Sequence, residues 1–199
     1  MIYNARYFEK EYPMPPKVKV TKEDIVNATV ELVRQSGADA INARTVATML
    51  SCSTQPIFSN FATMNDLRMA VVEKADTLCN EYIRQEINSG KYPAYKASGM
   101  AYIRFAKEER ELFKLLYMRD RKDETIPEGS QISAEMEIIV QQNTGLDGLN
   151  AQLFHLEMWA YVHGIATMFA TGFLNLEWEL VSKMITDAYQ GLRKQYKME

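Results

Sequence analysis

Only two cysteines, Cys52 and Cys79, occur in the 199 residues. Two thiols so far apart exclude a disulfide framework and a thiolate metal cage, and a reducing compartment is the default they leave. No apolar run reaches the roughly 20 residues that a bilayer-spanning helix needs. The first sixteen residues are polar, carry Glu9 and Glu11, and lack the basic start and apolar middle of a secretory signal. They read as a flexible leader (1–16) to a cytoplasmic protein. An excess of positive charge is missing too: the pI is about 5.6 and the formal net charge −3. Bulk attraction to nucleic acid is thereby excluded, and any contact with it must be local. Residues 1–75 carry 9 Lys and Arg against 8 Asp and Glu, and the remainder 14 against 18, so what asymmetry exists favours the N-terminal part. Sustained period-two alternation is absent, which argues against a sheet. Nucleophile motifs, glycine-rich phosphate loops and His/carboxylate metal spacings are absent as well. A pairing of Cys79 with His155 or His163 has no such context, so no enzyme, metal or cofactor is expected.

What remains is helical punctuation throughout, and the predicted fold is all-α with about nine helices. Thr21 followed by Asp24 is a variant capping box, and Ile25, Ala28, Val30, Leu32 and Val33 follow it at helical spacing up to a left-handed cap at Gly37. Asn42 caps a short second helix, Arg44 to Leu50. Ser51, Cys52 and Ser53 form a turn, and Ser53 is expected to cap a third helix in which Pro56 is tolerated in the first turn. Thr63 with Asp66 opens a long fourth helix to about Asn88. Further helices are predicted near Tyr95–Lys107, Glu109–Arg119 and Ser130–Gln142, with a polar break at 121–129. Two more follow at Leu149–Phe173 and Glu177–Lys197, a pair suited to an interface.

The stretch from Gly37 to Leu67 has two short helical phrases joined by a tight turn, the second carrying short polar residues outside and apolar anchors inside. That is what a DNA-reading helix needs, because its first residues must meet base edges in the major groove. Thr54 and Gln55 supply the polar face, and Ile57, Phe58 and Phe61 can face the core. Cys52 reads as a small buried hydrophobe. In the most apolar helix, Trp159 and His163 lie one turn apart on one face, and Gly164 would let another helix approach closely. For Trp159 and His163 the plain reading is core packing, and direct ligand contact is the other. Likewise the 12 Met residues suit either gap filling or a cavity for varied apolar ligands.

Residues 51–67, SCSTQPIFSNFATMNDL, resemble the helix-turn-helix phrase of the tetracycline-repressor-like (TetR) transcriptional regulators, Gly-Val-Ser-x-x-x-(Leu/Ile)-Tyr-x-His-Phe-x-x-Lys-x-x-Leu. The phrase Trp159-x-x-x-His163-Gly164 is similar to one in the C-terminal domain of a branch of that family. Three departures from the pattern matter for contact with DNA. Phe58 stands for Tyr, Asn60 for His and Met64 for Lys, and only Asn60 keeps a donor for phosphate. Lys17, Lys19 and Lys22 could compensate, as a basic N-terminal extension does in many members.

The resemblance implies a helix-turn-helix domain over 17–66 and a helical ligand-binding and dimerisation domain over 67–199. It implies a ligand-responsive regulator, expected to be a repressor, that binds a palindromic double-stranded DNA operator as a homodimer through its last two helices. Thr54 and Gln55 are the expected base contacts; Asn42, Arg44, Thr45, Ser53 and Asn60, with Phe58 beside them, the expected backbone side. Tyr82, Tyr102, Phe105, Tyr117, Trp159 and His163 are the expected ligand residues, for a small apolar or aromatic effector. The losses at Phe58 and Met64 favour an alternative, a helical interaction or small-molecule-binding protein whose helix-turn-helix no longer reads DNA.

Overall fold

Thr21 starts the first helix as its sequence requires: its hydroxyl accepts from the Asp24 N–H at 3.1 Å, and the Asp24 carboxylate accepts from the Thr21 N–H at 2.9 Å. In the computed structural model, which describes residues 20–120 and 134–197, this box opens α1 (Lys22–Ser36). Gly37 ends α1 at a positive φ of 77° with ψ at 172°, an extended left-sided conformation rather than the expected left-handed helical cap. The chain then makes a 3₁₀ turn, Ala38–Ala40, which the sequence pattern does not signal. Asn42 caps α2 (Ala43–Met49) by accepting from the N–H groups of Arg44 and Thr45 at 3.1 Å each.

The third helix, α3 (Gln55–Asn60), begins one residue later than expected. Thr54, not Ser53, holds the cap position. With φ −72° and ψ −13° it is already helical, so no side chain caps the end there. Pro56 sits in the first turn, where the missing N–H costs nothing. Thr63 and Asp66 repeat the reciprocal box at 3.1 and 2.8 Å and open α4 (Met64–Ser89). Its 26 residues span about 39 Å at 1.5 Å per residue, long enough to belong to both ends of the molecule.

The remaining helices are α5 (Ala94–Glu108), α6 (Arg110–Tyr117), α7 (Ala134–Thr144), α8 (Gly148–Thr171) and α9 (Trp178–Gln195). Among the described residues every regular element is helical, in agreement with the all-α expectation. The leader, Lys17, Lys19 and the polar break at 121–129 lie outside the described residues, as do the first residues of the helix expected from Ser130.

Two clusters make one continuous core. Ile25, Val33, Val46, Ile57 and Leu67 close the N-terminal head, and Phe105, Phe113, Phe154 and Phe169 fill the larger end. Between them α5 packs against α4, α6, α7, α8 and α9. It approaches α8 closely because a Cβ on Gly99 would stand 3.4 Å from Val162. The sequence assigns such an approach to Gly164, yet a Cβ there meets nothing of the chain within 4 Å. The head is tied to the rest by Arg34, whose Nε and a terminal nitrogen donate to the two oxygens of Glu109 at 2.9 and 2.7 Å. Arg68 on α4 donates to the carbonyls of Ala38 and Ile41 at 3.4 and 3.3 Å.

Candidate nucleic-acid interface and cavity

Ile57 on α3 and Phe61 at its C-terminal cap turn inward, 0% and 4% exposed, and so hold the opposite face toward solvent. That outer face consists of Gln55, Phe58 and Ser59. Ser59 donates to the Gln55 carbonyl at 2.9 Å, and the Asn60 amide to the Pro56 carbonyl at 2.8 Å, so both polar side chains brace the short helix they sit on. Thr45 is similarly occupied. Its hydroxyl donates to the Ala40 carbonyl at 2.6 Å. Of the eight residues expected at DNA, Asn42, Arg44, Ser53, Gln55 and Phe58 are exposed, whereas Thr45, Thr54 and Asn60 are half-buried. Thr45 and Asn60 have their side chains engaged in local hydrogen bonds. Asn42 spends its carbonyl oxygen on the α2 cap, which leaves Arg44 as the exposed cation among them.

In the larger end, a cavity of about 500 Å³ opens between α4, α5, α8 and α9. Six aromatic side chains stand in its wall, Tyr95 and Tyr102 from α5, Tyr117 at the end of α6, His155 and Trp159 from α8, and Tyr189 from α9, among aliphatic residues such as Ile83, Met158, Val162 and Ile185 and polar ones such as Asn80 and Asn143. Both histidines of the chain are bonded to tyrosines of α5. The Tyr95 hydroxyl lies 3.1 Å from His155 Nδ1, and the Tyr102 hydroxyl 2.9 Å from His163 Nδ1. Trp159 stacks on His163 with ring centres 4.7 Å apart.

Burial holds both imidazoles below the ordinary histidine pKa, which favours their neutral form near pH 7. Burial likewise raises Tyr95, Tyr102 and Tyr117. The Cys79 thiol, 3.8 Å from the Tyr117 hydroxyl, is pushed up to about 12, burial outweighing that hydrogen bond. It is therefore a poor nucleophile. The ionic groups left in the wall are Asp76 and Lys96, and Lys96 already donates to the Thr186 hydroxyl at 2.9 Å. Such a space suits an uncharged or weakly polar molecule with an aromatic body.

Of the six residues expected at a ligand, Tyr102, Tyr117 and Trp159 line the cavity. His163 stands behind them, touching it through its bond to Tyr102 and its stack on Trp159. Tyr82 and Phe105 do not line it. Three residues past Tyr102, Phe105 is turned toward α4 and wholly buried, and the Tyr82 ring meets it edge-on at 5.4 Å while its hydroxyl donates to Glu108 at 3.0 Å. Sequence reasoning missed Tyr95, His155 and Tyr189 as wall residues. The signal available was the repeat itself. Tyr95 precedes Tyr102 by about two helical turns on α5, as His155 precedes His163 on α8.

Several large apolar side chains of α8, α9 and their link are exposed. Leu149, Leu153 and Leu156 project from α8, Leu180 from α9, and Phe173 from their link is 76% exposed. Leu149, Leu153 and Leu156 follow at four- and three-residue steps and so share one face of α8.

Comparison with known proteins agrees with this architecture. Residues 95–187 match the family model described as tetracyclin repressor-like, C-terminal domain. A crystal structure described as a TetR-like transcriptional regulator from Rhodococcus sp. RHA1 superposes with a TM-score of 0.64 over 88% of this chain and 97% of that one, at 13% identity. No curated protein matches the chain in sequence. No helix among the described residues is long and apolar enough to cross a membrane.

Proposed function

We propose that the chain is a DNA-binding transcriptional regulator, not an enzyme, because residues 95–187 match the tetracyclin repressor-like C-terminal domain model and the fold is similar to that of a TetR-like regulator. In this reading it works in the cytoplasm as a homodimer and responds to a small molecule. The observation that carries it is the head: α3 is anchored by Ile57 and Phe61 and offers Gln55 outward, beside an exposed Arg44. Gln55 can bond adenine bidentately, and Arg44 can neutralise phosphate. The open leucine face of α8 and α9 supplies the two-fold contact, self-complementary as such contacts must be. Two heads would then enter major grooves about 34–36 Å apart on a palindrome.

The cavity supports regulation by an aromatic effector. Asp76, Cys79 and Asn80 of its wall belong to α4, the helix that begins in the head. A molecule that fits better at one tilt of α4 favours that spacing of the heads, which is all that a coupling between the two sites requires. Repression is the expected outcome for an operator overlapping a promoter. The test is selection of genomic fragments by the purified chain at about physiological salt, followed by footprinting. A protected palindrome of roughly 15–25 base pairs supports the reading. Retention that disappears above low salt, with no enriched sequence, refutes it and favours the interaction module.

A further inference from the structure

The outer face of α3 carries a side chain ill-suited to water. Phe58 is 54% exposed, although the inward anchors on either side leave it no way to turn into the core. It has no hydrogen-bonding atom and cannot hold a phosphate. Gln55 and Phe58 are three residues apart on a helix, hence neighbours on one face. A base edge that meets Gln55 therefore has Phe58 within reach of the next steps. The apolar group that DNA offers in the major groove is the 5-methyl of thymine, and phenylalanine is among the side chains that pack on it.

We propose that Phe58 is a specificity residue that reads thymine through its 5-methyl group, close to the base met by Gln55. The assignment rests on the reading of α3 as the DNA-facing helix. It gives each half-site one thymine required for its methyl rather than for its hydrogen bonds. Ser59 on the Gln55 carbonyl and Asn60 on the Pro56 carbonyl brace the short helix that carries the ring.

The experiment uses duplexes selected from a random-sequence pool by the full-length chain at about physiological salt. These are remade with deoxyuridine at each thymidine in turn, which removes only the methyl. At one thymine per half-site, binding should fall about fourfold, the factor expected for one buried methyl-sized group. Phe58→Ala should bind the parent duplex more weakly and be indifferent to that replacement, while Phe58→Leu keeps part of the response. The ring is exposed, so unchanged thermal melting is expected of both variants. If the parent chain ignores every uracil, or Phe58→Ala remains as sensitive as the parent, the role of Phe58 is overturned while the reading of α3 stands on the successful selection. If no duplex is enriched, both are overturned.

Discussion

Tyr102 and His163 meet where α5 packs on α8, with hydroxyl and Nδ1 2.9 Å apart, and Tyr95 and His155 repeat the pairing at 3.1 Å further along the same two helices. Each pair satisfies a polar group in an otherwise apolar seam, where an unmade bond would cost on the order of 1–3 kcal/mol. The two pairs also fix the register of α8 against α5, and with it the orientation of Trp159 at the cavity wall.

The seam makes stability depend on pH. Burial lowers both histidines, so the unfolded chain binds more protons than the folded one just below its ordinary histidine pKa of about 6.5. Stability is then complete above that value and is lost as pH falls through it toward the folded values. Chemical denaturation at pH 7.5, 6.5 and 5.5 should show a falling midpoint. His155→Gln with His163→Gln should flatten that fall over the same interval. An unchanged slope in the double variant would assign the pH dependence to other groups.

Arg34 and Glu109 join the head to the α5–α6 junction through a bidentate pair at 2.9 and 2.7 Å. Glu109 is the more enclosed partner, its side chain 15% exposed against 36% for Arg34. Solvent screening discounts the pair, yet the fork geometry is favourable, so a coupling on the order of 1 kcal/mol is expected. A double-mutant cycle of Arg34→Gln and Glu109→Gln, read by denaturant midpoints, measures it. Additive effects would show that the pair contributes nothing to holding the two ends together.

The N-terminal head was the more legible part of the sequence because its signals are local. Thr21 with Asp24 and Thr63 with Asp66 close their boxes within one helical turn, and Asn42 caps its helix by the same short reach. The start of α3 lies one residue beyond its expected place because Ser53 and Thr54 are both acceptable cap types, and only the backbone angles decide between them. The cavity was less legible. Tyr102 and Phe105 are aromatic residues of one helix, but their destinies depend on how α5 is rotated against α4 and α8, which no local pattern encodes. For the same reason Tyr189, more than 80 positions beyond Tyr102, could not be joined to it by spacing alone.

That division between wall and core predicts two kinds of variant. Phe105 is fully buried and outside the cavity, so Phe105→Ala should cost about 3–5 kcal/mol, and Phe105→Leu should lower stability with little effect on ligand affinity. Tyr117→Ala should instead change affinity for small aromatic compounds. With Trp178→Phe in the background, Trp159 is the one tryptophan left, and its fluorescence reports cavity occupancy directly. Equal affinity loss in Phe105→Leu and Tyr117→Ala would place the ligand elsewhere.

The leucine face gives a test of assembly. Leu156 is 51% exposed in the single chain, so Leu156→Glu should leave the fold intact. Across a two-fold interface the new charge would appear twice and face an apolar patch, a burial that costs several kcal/mol unless the partners separate. Light scattering should give twice the chain mass of 22.9 kDa for the parent and a single chain for the variant. A parent that runs as a monomer at micromolar concentration would remove the proposed dimer, and a variant that stays dimeric would move its interface away from α8.

Gln55 and Arg44 are both exposed on the head, but their chemistry assigns them different tasks. An amide pairs with a particular base edge, whereas a guanidinium on phosphate attracts every sequence alike. Gln55→Ala should therefore relax the choice at one position of the half-site, by about 1–3 kcal/mol of discrimination. Arg44→Ala should weaken binding to all duplexes and lower the slope of log affinity against log salt by roughly 0.9 for each phosphate it no longer neutralises. Binding titrations of both variants against the parent duplex and its single-base variants, at three salt concentrations, separate the two effects. If Arg44→Ala alters base preference as strongly as Gln55→Ala does, then α2 as well as α3 reaches base edges, and the orientation proposed for the head in the groove is wrong.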